Sequence, residues 1–220
     1  MSFVESIKKD FSLMAILLIP MAVAINFVGG SLALALKLPV YLDSIGTFIV
    51  AMLAGPWVGA VTGAISLLTV SITDPTSLPW TMLAAFMGAF VGWMARRRMF
   101  TNWWKIAIAT LLVIIGSVLA VVAIRYIVFG GFSSHVSSAI AAGLIAAGFP
   151  FWFAQMSSSF VLELPDKVLT VLIAVLVIRA ISDRYLLKFS NGRIFVDARR
   201  ARRDAKRGVE APTADAAPHA

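Results

Sequence analysis

The residues of this sequence that can do chemistry are polar side chains placed inside hydrophobic stretches. Asn26, Asp43 and Glu163 each lie close to runs of apolar residues. A charged or amide group is costly beside lipid, so such groups usually face a protein interior or a water-filled cavity, where they often mark a ligand path. Their oxygen and nitrogen atoms can bind a small molecule through hydrogen bonds and charge pairing. The pattern therefore predicts a binding site.

We predict that this site combines polar groups with aromatic rings. Asp43 is surrounded by the hydroxyl residues Tyr41, Ser44 and Thr47, which favours a pocket-lining role over a simple helix cap. The aromatic pair at positions 151 and 152 offers rings that can stack on a ligand. The candidate substrate-binding residues are Asn26, Tyr41, Asp43, Asp74, Phe151, Trp152, Gln155 and Glu163.

Structural roles are the alternative for three charged residues. Asp74 precedes Pro75, a sequence typical of a helix N-cap. Asp166 and Lys167 are predicted at the start of the last helix, where Asp166 fits an N-terminal cap. Lys167 can extend its charged end toward the membrane surface from the same position. For these residues, capping and ligand binding both stay open at the level of sequence.

The chemistry of catalysis has no motif in this chain. There is no cysteine, and His135 is the only histidine before the C-terminal tail, which argues against a bound metal. The phosphate-loop pattern G-x-x-x-x-G-K-[ST] is absent, as are H-E-x-x-H and G-x-S-x-G. We therefore predict a protein that is not an enzyme, hydrolyses no ATP itself and holds neither a cofactor nor a metal.

Membrane-spanning helices are the elements expected to position the site. The chain has 220 residues, of which 60% are hydrophobic and 14% are charged, whereas a soluble domain averages about 45–50% and about 25%. Long apolar runs predict helices because lipid cannot satisfy an exposed backbone amide. We predict an all-α membrane protein, a six-transmembrane-helix bundle with a long outward-facing segment before the last helix. The spans are residues 11–36, 40–54, 56–72, 80–95, 106–128 and 168–181.

The orientation follows from the positive charges. Sixteen of the 19 Lys and Arg residues flank one predicted side, and only Lys37, Arg125 and Lys167 remain for the other. The positive-inside rule places both termini in the cytoplasm, which requires an even number of spans. Residues 129–165 are then an outward segment whose short helices dip into the bundle, or alternatively a pair that crosses twice. Four outward acids against these three bases favour a neutral or cationic ligand over an anion.

The domain organisation has three parts. Residues 1–10 are a cytoplasmic N-terminus, residues 11–189 form the transmembrane substrate-binding bundle, and residues 190–220 form a basic tail. The tail is predicted to be disordered. Its arginines are expected to be attracted to anionic lipid headgroups rather than to nucleic acid.

Rows of small residues predict close packing between helices. Each row repeats at every fourth position and so lies on one helical face. Spacing alone leaves open whether a row packs inside the chain or against another protein. The three rows are Gly55, Gly59 and Gly63; Ala84, Gly88 and Gly92; and Ala139, Gly143 and Ala147.

Three segments together resemble a known family. They are LPVYLDSIGT at 38–47, LAGPWVGA at 53–60, and the polar stretch from 157 to 167 that contains ELPDK. These segments look like the substrate-binding membrane subunit, or S component, of energy-coupling factor (ECF) type ABC transporters. The resemblance covers residues 11–185.

The resemblance implies a function and partners. A six-helix bundle in the cytoplasmic membrane of a prokaryote would bind a vitamin or related micronutrient from outside. It would deliver this ligand with a membrane coupling subunit and two ATPase subunits. Family members often dock through A-x-x-x-A in the first helix, for which Gly29 and Ala33 are the nearest match; Gly55, Gly59 and Gly63 are the other docking candidates. The rival functions are a stand-alone carrier or channel, and a membrane sensor or assembly protein.

Overall fold

Helices form the whole regular structure of the part described here. The structure is a computed structural model that describes residues 3–207, and in that range it has ten α-helices, one short 3-10 helix and no strand. The all-helical prediction is confirmed for these residues. The helices are α1 (Phe3–Asp10), α2 (Leu13–Ala35), α3 (Ile45–Ala54), α4 (Pro56–Ser71), the 3-10 helix Pro75–Ser77, α5 (Trp80–Arg96), α6 (Trp103–Phe129), α7 (Val136–Ala146), α8 (Phe151–Ala180), α9 (Asp183–Leu186) and α10 (Gly192–Arg207).

Local sequence signals set several helix ends. The Ser12 side chain accepts a hydrogen bond from the Ala15 backbone N–H at 3.2 Å, which caps the start of α2. Between α3 and α4 the chain turns at Gly55, whose φ of 107° is easily reached only by glycine. Pro56 then occupies the first turn of α4, where its missing N–H is tolerated. A Gly-Pro pair between two apolar runs predicts a tight turn, and the structure has one at this point.

Helix α8 is the largest departure from the predicted spans. It starts at Phe151 instead of residue 168 and continues through Pro165, although proline usually breaks or kinks a helix. Leu162 and Val171 are buried on either side of the proline, so packing holds both halves in one helix. Asp166 and Lys167 consequently lie in the middle of α8. The predictions of a helix cap and of a surface-seeking lysine at its start are wrong.

The predicted outward segment 129–165 is correspondingly shorter. Helix α6 ends at Gly130, which adopts the left-handed conformation typical of helix C-termini. One short helix, α7, follows and packs against α8. The segment before the long last helix therefore runs only from 130 to 150.

The hydrophobic core surrounds α3. This helix is buried along its length, and the core joins it to α5, α6 and α8. The segment after α8 contributes as well, through Leu186, Phe189 and Val196. The largest fully buried apolar side chains in α3, α5 and α8 are Phe48, Met52, Leu53, Met94 and Ile178.

Two of the three small-residue rows pack against each other. A Cβ atom at Gly59 or at Gly88 would collide with the backbone of the other glycine, and one at Gly63 would collide with the backbone of Ala84. The glycines thus let α4 and α5 touch. The third row behaves differently, since a Cβ at Gly143 would meet nothing within 4 Å.

The residues predicted for partner docking lie inside the chain. Gly55 lies against the Asp10 carboxylate, and Gly29 lies against the backbone of Leu42. Ala33 is buried. Because Gly59 and Gly63 are used between α4 and α5, none of the five docking candidates offers a free face.

One end of the bundle gathers the segments predicted to be cytoplasmic. The guanidinium of Arg96, at the end of α5, pairs with Asp10 at the end of α1. Arg202 in α10 donates to the backbone carbonyl of Thr101. We call this the basic end. Its contacts place the N-terminal helix, the 97–102 loop and the C-terminal helix side by side.

The tail differs from the prediction over most of its described length. Residues 192–207 form α10 instead of a disordered chain, because Phe195 and Val196 bury their side chains in the core. Residues 208–220, the rest of the predicted tail, lie outside the described residues, as does His219.

Two helices are long and apolar enough to cross a membrane by length and composition, α2 and α6. Large apolar side chains are exposed on both of them. On α2, for example, Leu17 and Met21 are 58% and 61% exposed. An exposed apolar surface of this kind is what contact with lipid or with another apolar helix requires.

Candidate functional site

A buried carboxylate in the middle of α8 holds the loop that precedes α3. Asp166 is fully buried, and its Oδ1 accepts backbone N–H bonds from Tyr41 at 2.8 Å and from Leu42 at 2.9 Å. Leu42 has a φ of 53°, a left-handed conformation that is uncommon for leucine. The two charge-assisted bonds stabilise this turn. Loop 36–44 is thereby fixed against the centre of the longest helix.

Lys167 joins Asp166 to a second buried acid. Its Nζ lies 2.7 Å from Asp166 Oδ2 and 3.3 Å from Glu163 Oε2. The hydroxyl of Ser117, on α6, donates to the same Glu163 oxygen at 2.5 Å. All four side chains are buried. Charges can remain in such a position because each acid has both a cationic and a hydrogen-bonding partner.

Asp43 is the accessible acid of this group. It is partly exposed, whereas Glu163 and Asp166 are buried. The Ser44 hydroxyl donates to Asp43 Oδ1 at 2.8 Å. We call Asp43, Ser117, Glu163, Asp166 and Lys167 the acidic cluster.

A second network surrounds Arg125 in α6. The guanidinium is 1% exposed. Its Nη1 donates to Gln155 Oε1 at 2.7 Å and to Ser159 Oγ at 3.2 Å, and its Nη2 donates to Ser137 Oγ at 2.6 Å. Gln155 is itself oriented by a bond from its Nε2 to the Gly131 carbonyl at 2.6 Å. We call Arg125, Ser137, Gln155 and Ser159 the arginine network.

The two groups form one polar seam between α6 and α8. Gln155, Ser159, Glu163 and Lys167 repeat at every fourth position and so lie along one face of α8. The seam begins near the start of α8 and reaches the helix centre. It is therefore continuous from the α7 side of the molecule to loop 36–44.

Aromatic rings border this seam. The indole of Trp80 stacks on Phe129 with 5.6 Å between ring centroids, and its other contact is with His135 at 4.8 Å. His135 also meets the ring of Tyr41 at 5.9 Å. Burial lowers the pKa of His135, and the positive charge of Arg125 lowers it further. The histidine is therefore neutral at pH 7, with aromatic neighbours.

Asn26 has a structural role in the described contacts. Its Nδ2 donates to Thr47 and Ser66 hydroxyls, both at 2.8 Å, and its Oδ1 accepts from the backbone of Gly46 at 2.7 Å and of Thr47 at 3.4 Å. These bonds use all four hydrogen-bonding positions of the amide. They join α2, the start of α3 and α4. No hydrogen-bonding group of Asn26 is left for a ligand in this conformation.

Asp74 is a cap, as in the structural alternative, but it caps the 3-10 helix Pro75–Ser77 and not the helix that begins at Trp80. Its Oδ1 accepts from the backbone and hydroxyl of Thr76 at 3.1 and 2.6 Å, and its Oδ2 accepts from the Ser77 hydroxyl at 2.9 Å. These hydrogen bonds, first from Thr76 and then from Ser77, lower the pKa of Asp74. The side chain is exposed, and its charge acts on His135 at the border of the seam.

The aromatic pair at the start of α8 separates into two environments. Phe151 is half-buried, covers Gly131 and meets Phe132 edge-on. Trp152 is 51% exposed and contacts Tyr126, which is exposed as well. The structure does not bring Trp152 to the seam.

Of the predicted residues, Tyr41, Asp43, Gln155 and Glu163 come together at the seam. Sequence reasoning left Asp166 and Lys167 open as members of it, and it missed Arg125, Ser117, Ser137 and Ser159. The four-residue spacing along α8 was the available signal, together with the presence of an arginine inside an apolar run.

Comparison with protein-family models, with curated proteins and with solved structures gave no match for this chain.

Proposed function

We propose that this chain is the substrate-capture subunit, or S component, of an ECF-type importer in the cytoplasmic membrane of a prokaryote. The observation that carries the proposal is the seam. Loop 36–44 is held by Asp166 in the bundle interior, and Asp43 beside it stays partly exposed. A preformed polar site bordered by aromatic rings is what capture of a small molecule requires. The resemblance of 38–47 and 53–60 to this family adds to it.

The proposed topology has six crossings, made by α2, α3, α4, α5, α6 and α8. Helix α3 has ten residues, which gives a length of only about 15 Å against a hydrocarbon core of about 30 Å. Loop 36–44 therefore belongs to the same crossing. Irregular backbone is tolerated at that depth where protein shelters it, and Asp166 supplies such shelter here. The basic end faces the cytoplasm, since most Lys and Arg residues cluster there.

The ligand is a vitamin or related micronutrient, delivered with a membrane coupling subunit and two ATPase subunits. Docking is directed elsewhere because Gly29 packs against Leu42, Ala33 is buried, and the α4 glycines are used inside the chain. The exposed apolar side of α2, which includes Leu17 and Met21, is the surface of the first span that remains for it.

Reconstitution in liposomes tests the proposal. Mass spectrometry of small molecules that copurify with the chain identifies the compound to follow. We expect ATP-dependent uptake of that compound only when the coupling subunit and both ATPases are present. Uptake by the chain alone would indicate a carrier or channel. If no compound copurifies and no complex with the coupling subunit forms, the chain is a sensor or assembly protein.

A further inference from the structure

Arg125 is a buried cation without an acidic partner. Its guanidinium is 1% exposed, and no carboxylate of the described residues lies within the 4.0 Å of an ion pair. Its three hydrogen bonds go to the neutral side chains of Ser137, Gln155 and Ser159. A buried charge is normally paired, because removal from water is otherwise strongly unfavourable.

Part of the guanidinium is still free to donate. Its Nε–H is buried without an acceptor among the described residues. A guanidinium has five N–H donors, of which the three bonds use three. Nη2 therefore keeps one N–H beyond its bond to Ser137. Nε and Nη2 form one edge of the planar group, and such an edge can bind two oxygens of one carboxylate or phosphate.

The nearby buried acids do not pair with the Arg125 guanidinium, because they already have other partners. Glu163 accepts from Lys167 and Ser117, and Asp166 accepts from Lys167 and two backbone N–H groups. Of the four acids that favoured a neutral or cationic ligand, Asp74 caps the 3-10 helix, and Asp43, Glu163 and Asp166 belong to the acidic cluster. The missing acceptor at the Arg125 guanidinium instead indicates which chemical group the ligand carries.

A second buried donor lies among the aromatic rings that border the seam. The indole Nε1–H of Trp80 is buried without an acceptor in the described part of the chain. Trp80 stacks on Phe129, one helical turn after Arg125, and contacts His135, two residues before Ser137. Two unmatched donors of this kind indicate an acceptor that comes from outside the chain.

We propose that the ligand carries an oxoanion group, a carboxylate or a phosphate, which Arg125 binds through Nε–H and Nη2. The proposal rests on the proposed function, since it names the chemical class of the captured compound. The carrier of this group is a small soluble molecule rather than a lipid, because the guanidinium is enclosed by α6, α7 and α8.

Thermal unfolding of the purified full-length chain in detergent tests this with simple probes. The melting temperature is measured in sodium acetate and sodium phosphate against sodium chloride at equal ionic strength. We expect both oxoanions to raise the melting temperature of the wild type, because a ligand that binds the native state stabilises it. Methylammonium chloride serves as the cationic control and should give no rise.

Two variants assign the effect to this residue. In Arg125→Gln the oxoanion affinity should fall at least about tenfold, the loss expected for one charge-assisted contact. Arg184→Gln removes an exposed arginine and should respond like the wild type. Arg125→Lys keeps the charge without the two-donor edge and should weaken the response, which gives a second variant if the glutamine form does not fold.

An equal rise in the wild type and Arg125→Gln would overturn the proposal, as would no rise in the wild type. A rise produced by phosphatidylglycerol but not by acetate or phosphate would assign the site to lipid and also overturn it. If neither oxoanion raises the melting temperature but the full complex shows ATP-dependent uptake in liposomes, the oxoanion proposal fails and the proposed function stands. Oxoanion binding together with uptake by the chain alone would reject the proposed function instead.

Discussion

Two buried charges, one at each end of the bundle, differ in their partners: one is paired with an opposite charge and the other is not. At the basic end the fully buried Asp10 accepts from Arg96, from the Trp57 backbone at 3.4 Å and from the Ser190 hydroxyl at 3.3 Å. At the other end Arg125 is equally buried but has only neutral partners.

The difference separates a structural charge from one that is available to a ligand. Around Asp10 the donors converge from the first turn of α4, from α5 and from the segment before α10, and Gly55 packs against the carboxylate. A set of this kind fixes helices relative to each other. The arginine network lacks the carboxylate that would complete it. Variants that remove one charge at a time should therefore behave differently in the two regions.

The largest effect is expected where a matched charge is removed from the acidic cluster. Lys167→Met leaves Glu163 and Asp166 buried without their cation, and breaking such a set should cost about 3–5 kcal/mol of unfolding free energy. Denaturant unfolding in detergent micelles measures it. Lys188→Met, at an exposed position, is the control and should stay close to the wild type. A small loss of unfolding free energy in Lys167→Met would show that Lys167 does not stabilise the two buried acids.

At the basic end, Asp10→Asn should destabilise the fold by about 2 kcal/mol, less than a wholly buried pair because Arg96 is partly exposed. The same unfolding measurement applies. Asp197→Asn breaks a pair between two exposed side chains, with Arg98 at 4.0 Å, and should change stability by less than about 0.5 kcal/mol. Ligand affinity should be unchanged in both variants, and a weakened affinity in Asp10→Asn would contradict the division between the two regions.

Asp43 tests the accessible part of the seam. Asp43→Asn should weaken binding of the copurifying compound roughly tenfold, or about 1.4 kcal/mol, with the melting temperature retained. Equilibrium binding to the purified chain measures it. Asp74→Asn changes an exposed capping acid and should leave the affinity intact. Unchanged affinity in Asp43→Asn would remove this residue from the site.

Among the buried charges, the smallest effect on stability is expected at the unmatched Arg125. Arg125→Gln loses three hydrogen bonds but also removes the burial of an unpaired cation, so the two contributions offset each other. The unfolding free energy in the absence of ligand should lie within about 1 kcal/mol of the wild type. A loss as large as that of Lys167→Met would mean that the arginine network holds the fold together.

The sequence predicted helices well where the signal was local. Apolar runs located α2, α4, α5 and α6, and Gly55 with Pro56 marked the turn between α3 and α4. The start of α8 was missed because Pro165 and its charged neighbours look like a boundary in any short window. Their burial depends on Ser117 and loop 36–44, which are far away in sequence.

The candidate site was predicted in part for the same reason. Glu163 and Asp43 were identified because acids are rare among apolar residues, and both lie at the seam. Arg125 was equally rare, yet its environment depends on a meeting with Gln155 across 30 positions. Asn26 was identified by the same rule as the acids and fulfils a structural role instead. A polar residue at apolar depth predicts burial with partners; whether the partners are complete is a property of the folded chain.

The Ser190 hydroxyl that reaches Asp10 also has a consequence for biosynthesis. These two residues are separated by 180 positions, so the ribosome must complete nearly the whole described chain before the site of Asp10 can close. Until then the N-terminal carboxylate stays open to water, and α1 lacks its final contacts. The basic end is thus completed late in synthesis, and a chain that stops before residue 190 would keep the contacts of Asp10 with Arg96 and Trp57 but lack the bond from Ser190.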